Sequence, residues 1–348
     1  MTLATTYGAA LCLAIFSLLC LGSWANSLKL AGRWRFELFY FDFAFGLAAM
    51  SVILAFTAGS WGYDSFTFLD DLTRASKHSM AQAFGAGLIF NLGNMLLIAG
   101  MSLVGMSIAF PIGLGIATLV GALVAYTVSP QGNPVLLFTG AAVVLVAVLV
   151  CTFAYRSLAL LREIEKMKAG EHRTLRPSVS WKGVLLSAGG GILLGSFTPV
   201  LDMARDPDIG LGPYSLGVIF CMGIAFSTIV YNMYFMNLPV KGKPVEIPAY
   251  FRGNIWQHLC GVLGGAVWSL GTVAAFVLSS SSKEVMPAPA LTYALAQSVP
   301  LLAAIWGLVV WKELRTADAK AAALMGVMLI LLAAGIAMLA IAPFYSPV

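Results

Sequence analysis

The chain has 348 residues, of which 60% are hydrophobic and 10% charged, and its formal net charge is +5. Soluble globular proteins carry roughly 25% charged residues and about half apolar ones, so this composition excludes a soluble domain, a disordered chain, a coiled coil and a disulfide scaffold. A helix that crosses a bilayer takes about 20 apolar residues, and ten of them fill most of this length, leaving only short loops.

Taken in chain order, apolar runs between polar breaks predict ten membrane helices: 6–28, 37–57, 79–101, 103–128, 134–155, 181–200, 214–237, 253–278, 290–311 and 319–342. The breaks carry turn chemistry, as in Ser129-Pro130-Gln131-Gly132-Asn133-Pro134 and Asp206-Pro207-Asp208-Ile209-Gly210. Lys and Arg are unevenly placed. Loops after helices 1, 3, 5, 7 and 9 hold three, none, seven, three and three, sixteen in all; the other face holds only Arg74, Lys77, Arg205 and Lys283. The positive-inside rule then predicts a multi-pass protein of the cell (inner) membrane with both termini outside and the basic loop 156–180 in the cytoplasm. That loop reads as a solvated topology anchor. The positive charge is a topology signal and not a nucleic-acid footprint. The N-terminus lacks a charged n-region, so no cleavable leader is expected.

The second half echoes the first. Leu21-Gly22-Ser23-Trp24-Ala25-Asn26-Ser27-Leu28 aligns with Leu194-Gly195-Ser196-Phe197-Thr198-Pro199-Val200-Leu201, and Gly87-Leu88-Ile89-Phe90-Asn91-Leu92-Gly93-Asn94 with Gly265-Ala266-Val267-Trp268-Ser269-Leu270-Gly271-Thr272. The offsets are 173 and 178. Five helices per copy is an odd number, so the second copy enters the membrane inverted. The expected architecture is therefore an all-α integral membrane protein of ten helices in two inverted five-helix repeats, 1–155 and 181–348. Inverted repeats of this kind build secondary transporters, with substrate held near the midplane.

Polar groups inside a bilayer are costly unless they face protein or water, so the polar intramembrane residues are the site candidates. They are Trp24, Asn26, Asn91, Asn94, Trp268, Thr272, Tyr293 and Gln297 for substrate, with Asp42 as a proton-coupling group. Asn91 and Asn94 share a helical face and offer donors and acceptors to a neutral polar ligand. Interhelical hydrogen bonding is the competing use of the pair. A tryptophan at mid-span, Trp268, offers a stacking plane. Asp42 is the one carboxylate well inside a predicted span, although Lys29, Arg33 or Arg35 could simply pair with it. His258, near the start of helix 8, reads as structural, and Asp202 as solvated at the outer mouth. Helices 5 and 10 lack this polar lining and are expected to be peripheral. Gly191/Gly195 and Gly261/Gly265 have the spacing of close helix contacts. Pro111 and Pro300 occupy matching places in helices 4 and 9 and read as paired bends. Cys12, Cys20, Cys151, Cys221 and Cys260 lie in apolar runs without C-x-x-C spacing and read as packing residues. No P-loop appears, so ATP is not expected to drive the protein, and no cofactor or metal is expected.

Several segments resemble a known family. Gly22-Ser23-Trp24-Ala25-Asn26-Ser27-Leu28-Lys29-Leu30 is similar to the G-T-W-P-x-x-x-K/T-L segment of ureide permeases, with Ala25 in place of the proline. Tyr40-Phe41-Asp42-Phe43 resembles their Y-L-D-Y. Asn91-Leu92-Gly93-Asn94-Met95 resembles S-L-G-N-L, with Asn91 in place of the serine. Gln297-Ser298-Val299-Pro300-Leu301, Trp306-Gly307 and Glu313-Leu314-Arg315 resemble Q-A-L-P-L, W-G and E-Y-R. The pattern as a whole resembles the drug/metabolite transporter superfamily, which also holds glucose/ribose porters. The resemblance implies carriage of allantoin-like ureides and oxo-nucleobases with protons.

The expectation is thus a proton-coupled importer of a small neutral polar ring compound, with a small-molecule substrate, protons and the lipid bilayer as its partners and no nucleic acid. A sugar porter of the same fold and an exporter of amphipathic metabolites are the alternative readings. No H-E-x-x-H, metal cluster or nucleophile constellation suggests an enzyme. The oligomeric state is not legible.

Overall fold

The computed structural model describes residues 1–61, 66–128, 133–168, 180–205, 209–282, 284–287, 289–313, 315 and 318–345. The expected turns at 129–132 and 206–208 and the basic stretch 169–179 lie outside them. In chain order the helices are α1 (Tyr7–Ser23), α2 (Asn26–Leu30), α3 (Phe36–Phe56), α4 (Phe68–Arg74), α5 (Lys77–Val104), α6 (Met106–Val128), α7 (Pro134–Lys168), α8 (Trp181–Met203), α9 (Pro213–Asn237), α10 (Ile255–Ser279), α11 (Pro289–Gln297), α12 (Val299–Ile305) and α13 (Ala319–Ile341). Among the described residues there is no strand, and nine helical segments are long and apolar enough to cross a bilayer. An apolar chain in lipid has no water to satisfy its backbone, so it bonds its amides within each helix. The molecule is a multi-pass membrane protein.

Three features differ from the sequence expectation. The first is the segment expected as one helix over 290–311, which is broken. Pro300 has no N–H, and its ring crowds the carbonyl four residues back. The helix stops at Gln297 and restarts at Val299, then loosens into a π-turn at Trp306–Val310. Pro111, its expected counterpart, sits inside the continuous α6. The second is α7, whose 35 residues continue past 155 to Lys168, so the first part of the predicted basic loop is helical. At 1.5 Å per residue it is about 52 Å long, well beyond the bilayer's hydrocarbon core. The third is the stretch between the second and third predicted helices, where Phe68–Arg74, with Asp70 and Asp71, forms α4. That helix opens with a capping box between Thr67 and Asp70.

The chain forms two compact units, 1–92 with 196–296, and 93–195 with 297–348. Each draws on both sequence halves, and the chain passes between them inside α5, inside α8 and at the end of α11. In the first unit α3 packs against α9 and α10. Glycines set the α3–α10 approach. A Cβ on Gly46 would meet the Val262 backbone, one on Gly265 the Phe43 carbonyl, and one on Gly261 the Asp42 side chain. In the second unit α7 runs along α13, with Gly140 and Gly335 at the contact, and α6 packs on α7. Helices 5 and 10 of the sequence reading are therefore partners of each other, and their other faces stay exposed at Val135, Phe153 and Ile330. Gly191 and Gly195 bring α8 against the backbone of α6 at Gly113 and Ala117.

Candidate functional site

Two groups of side chains in the first unit carry chemistry. The first is aromatic. Trp268 on α10 lies 4.9 Å from Phe90 on α5, 6.2 Å from Phe220 on α9 and 6.4 Å from Phe43 on α3, centroid to centroid. Trp24, at the break between α1 and α2, lies 4.7 Å from Phe43, and Phe197 on α8 stacks on Phe220 at 5.6 Å. Five helices and one helix break thus contribute rings to one cluster. Thr272 lies one turn beyond Trp268 and is buried. Offset and edge-to-face rings at these separations attract one another beyond their burial, and the same faces can stack on a planar ligand.

Asn91 is the neighbour of Phe90, but its amide points elsewhere. Its Nδ2 lies within hydrogen-bond distance of the Ile224 carbonyl (3.0 Å), Ser227 Oγ (2.8 Å) and Thr228 Oγ1 (3.0 Å), all on α9. The nitrogen side of the group is therefore used in holding α5 to α9. A backbone carbonyl can only accept, which fixes the orientation of the amide. Its Oδ1 is buried and unpartnered, so what Asn91 still offers is an acceptor. Asn26 has a local use, since its Nδ2 donates to the Ser23 carbonyl at 2.8 Å, across the α1–α2 break. Asn94 and Gln297 belong to the second unit. Asn94 is buried, and Gln297 Oε1 accepts from the Thr118 hydroxyl at 2.7 Å. The Tyr293 side chain lies outside the described residues.

The second group surrounds Asp42. This carboxylate is 4% exposed. Tyr250 Oη donates to Oδ1 at 2.5 Å, and His258 Nδ1 faces Oδ2 at 2.8 Å. The imidazole is held edge-on by Trp34 at 5.0 Å and Tyr250 at 4.7 Å. Gly261, one turn along α10 from His258, leaves room for the Asp42 side chain. Tyr250 belongs to a 3-10 turn, Ile247–Arg252, between α9 and α10. Burial pushes its phenol above the ordinary range and the adjacent carboxylate pushes it further, so it stays a donor. The competing reading, an ion pair of Asp42 with Arg35, is not what the structure has. Arg35 turns instead to Glu37, which it holds with two nitrogens at 2.6 and 3.2 Å. His258, read from sequence as structural, is the basic partner of Asp42. Asp202 is exposed and lies 3.8 Å from Arg205.

Sequence reasoning missed Phe43, Phe90, Phe197, Phe220 and Tyr250. Phe43 and Phe90 could have been found as the immediate neighbours of Asp42 and Asn91. Tyr250 gave no signal, because it sits in a polar loop 208 residues from its partner. Among the described residues no group of three or more His, Cys, Asp or Glu could hold a metal.

These elements define a multi-pass membrane protein with an aromatic cluster and a buried carboxylate–imidazole pair. The ureide permease family model matches residues 39–179, a stretch containing Asp42, Asn91 and Asn94. Three Arabidopsis thaliana proteins are similar along nearly their whole length. Ureide permease 2 is 25% identical, covering 97% of this chain and 98% of its own; ureide permease 1 is 23% identical, covering 95% and 96%; ureide permease 4 is 23% identical, covering 93% and 94%. One crystal structure overlaps 94% of this chain at 14% identity, with a TM-score of 0.47. The chain is thus similar to members of the ureide permease family, which are transporters and not enzymes.

Proposed function

We propose that the chain is a secondary transporter of a small neutral ring compound bearing N–H and C=O groups, a ureide or a nucleobase, imported with protons. The observation that carries this reading is the cluster of Trp24, Phe43, Phe90, Phe220 and Trp268; Asn91, next to Phe90 in the chain, adds a buried acceptor oxygen. Ring faces suit a planar solute, and an acceptor suits an N–H donor. The names of the relatives point to the same chemistry. Asp42, paired with the His258 imidazole, is the proton site of this reading.

The wider frame belongs to the same proposal: two inverted five-helix halves, 1–155 and 181–348, as in the drug/metabolite transporter superfamily, with both termini outside the cell membrane. Asn94, Gln297, Thr272, Asn26 and Tyr293 are its remaining substrate candidates. A thermal-shift screen of the purified protein tests the substrate class, because a ligand that binds only the folded state raises its melting temperature. Ureides or oxo-nucleobases should raise it, and Trp268→Ala should remove the shift. A shift produced by sugars alone would replace this reading with a sugar porter.

A further inference from the structure

Three hydrogen bonds, among others, tie the segment between α9 and α10, residues 238–254, to its unit. The Val245 amide donates to the Met236 carbonyl at 3.0 Å, Arg35 Nη1 donates to the Lys243 carbonyl at 2.5 Å, and Tyr250 Oη donates to Asp42 at 2.5 Å. Two of these ties join backbone to backbone or to a permanent cation. The third ends on a group that can gain a proton. The segment therefore behaves as a strap with one titratable fastening.

We infer that Tyr250 is a positioning residue for proton coupling, its strap closed over Asp42 while the carboxylate is ionised and released when Asp42 is protonated. This rests on Asp42 being the proton site of the proposed transporter. With Asp42 ionised, Oδ1 accepts from the Tyr250 hydroxyl and Oδ2 from His258 Nδ1–H, and both bonds are charge-assisted. A proton added to the carboxyl makes one oxygen a donor. Tyr250 then loses its charged acceptor, and an imidazole protonated at Nδ1 has no lone pair there with which to take the new O–H. The closed arrangement thus matches one protonation state.

The ionisable groups that act on Asp42 are His258 from α10 and Tyr250 from the strap. The Arg35–Glu37 pair lies five residues earlier on α3, and α9 presents the neutral Asn232 amide to the Glu37 carbonyl. The strap's own Lys241, Lys243, Glu246 and Arg252 are exposed. Asp42 is sealed at 4% exposure, so proton exchange with water along this side requires the strap to lift.

Hydrogen exchange on the purified full-length protein tests this without any substrate. The readout is the protection of the Val245, Ala249 and Gly253 amides, corrected for the intrinsic effect of pH. In the wild type, protection should fall about tenfold on acidification, the worth of one charge-assisted hydrogen bond. Tyr250→Phe, which keeps the ring, should be about tenfold less protected at both pH values, and Asp42→Asn should lose the pH dependence. The core amides of α9 and α10 serve as the folding control. If Tyr250→Phe disturbs them, the comparison of wild type with Asp42→Asn decides alone. Equal strap protection in a folded Tyr250→Phe, or a wild-type strap indifferent to pH, overturns the inference. Failure of ureides and nucleobases in the binding screen overturns the substrate reading and leaves this result standing.

Discussion

Two carboxylates in the molecule are held in opposite ways. Glu313, after the π-turn in the second unit, accepts from the Met106 amide at 3.0 Å, the Ser107 amide at 2.8 Å and the Ser107 hydroxyl. It caps the N-terminus of α6 from a distant part of the chain, where free amides and the helix dipole favour negative charge. Gly105, at φ 93°, and Lys312, at φ 49°, are the left-handed positions that turn the two backbones toward this contact. These backbone amides and this hydroxyl do not titrate near neutral pH. Asp42, in the first unit, is held instead by an imidazole and a phenol. A carboxylate on amides is a fastening; a carboxylate on an imidazole can exchange its proton. The surroundings, and not the residue type, separate the two roles.

The contrast is sharpest in transport. Asp42→Asn should abolish accumulation driven by a pH gradient in liposomes while leaving substrate exchange intact, and intact accumulation would remove Asp42 as the proton site. Glu313→Ala should act the other way. It strips a helix N-terminus of its acceptor and should lower stability by about 2 kcal/mol, read as a lower melting temperature. The pH profile of transport should not move, and a moved profile would give Glu313 a coupling role.

Trp268→Ala should weaken ligand binding by about 1–2 kcal/mol, roughly tenfold, through loss of a stacking face. Calorimetry against a ureide that binds the wild type checks this, and equal affinity would take the aromatic cluster out of the substrate site. The smallest effect concerns a third carboxylate, on the surface. The Thr67 hydroxyl and amide hold the Asp70 carboxyl below its ordinary range. A depressed carboxylate contributes stability above its ordinary range and loses it as pH falls through the lowered value. The melting-temperature gap between wild type and Asp70→Asn should therefore close in acid, and a gap that widened there would contradict the capping geometry.

Much of this was legible along the chain. Nine of the ten expected segments appear as long apolar helices, because hydropathy and turn residues are local properties that the bilayer reads locally. The break in the remaining segment was in principle readable from Pro300, but a proline permits both a bend and a break. Pro111 stays inside a continuous helix, whereas Pro300 lies at a break. Asn91 was recognised as a polar intramembrane residue, yet its sequence could not say that α9 would take the nitrogen side of its amide.

What the sequence by itself determined is which residues are buried in lipid or protein and which few polar groups must find partners there, since those follow from composition and period. Tertiary structure decided who the partners are. Asp42 meets Tyr250 and His258 across 208 and 216 residues, and Glu313 meets Ser107 across 206. Hydrogen-bond partnership depends on how helices pack, and α3 can approach α10 closely enough for it only because Gly46, Gly261 and Gly265 carry no side chain between them. Packing of that kind is a property of two surfaces at once, and a single run of residues does not encode it.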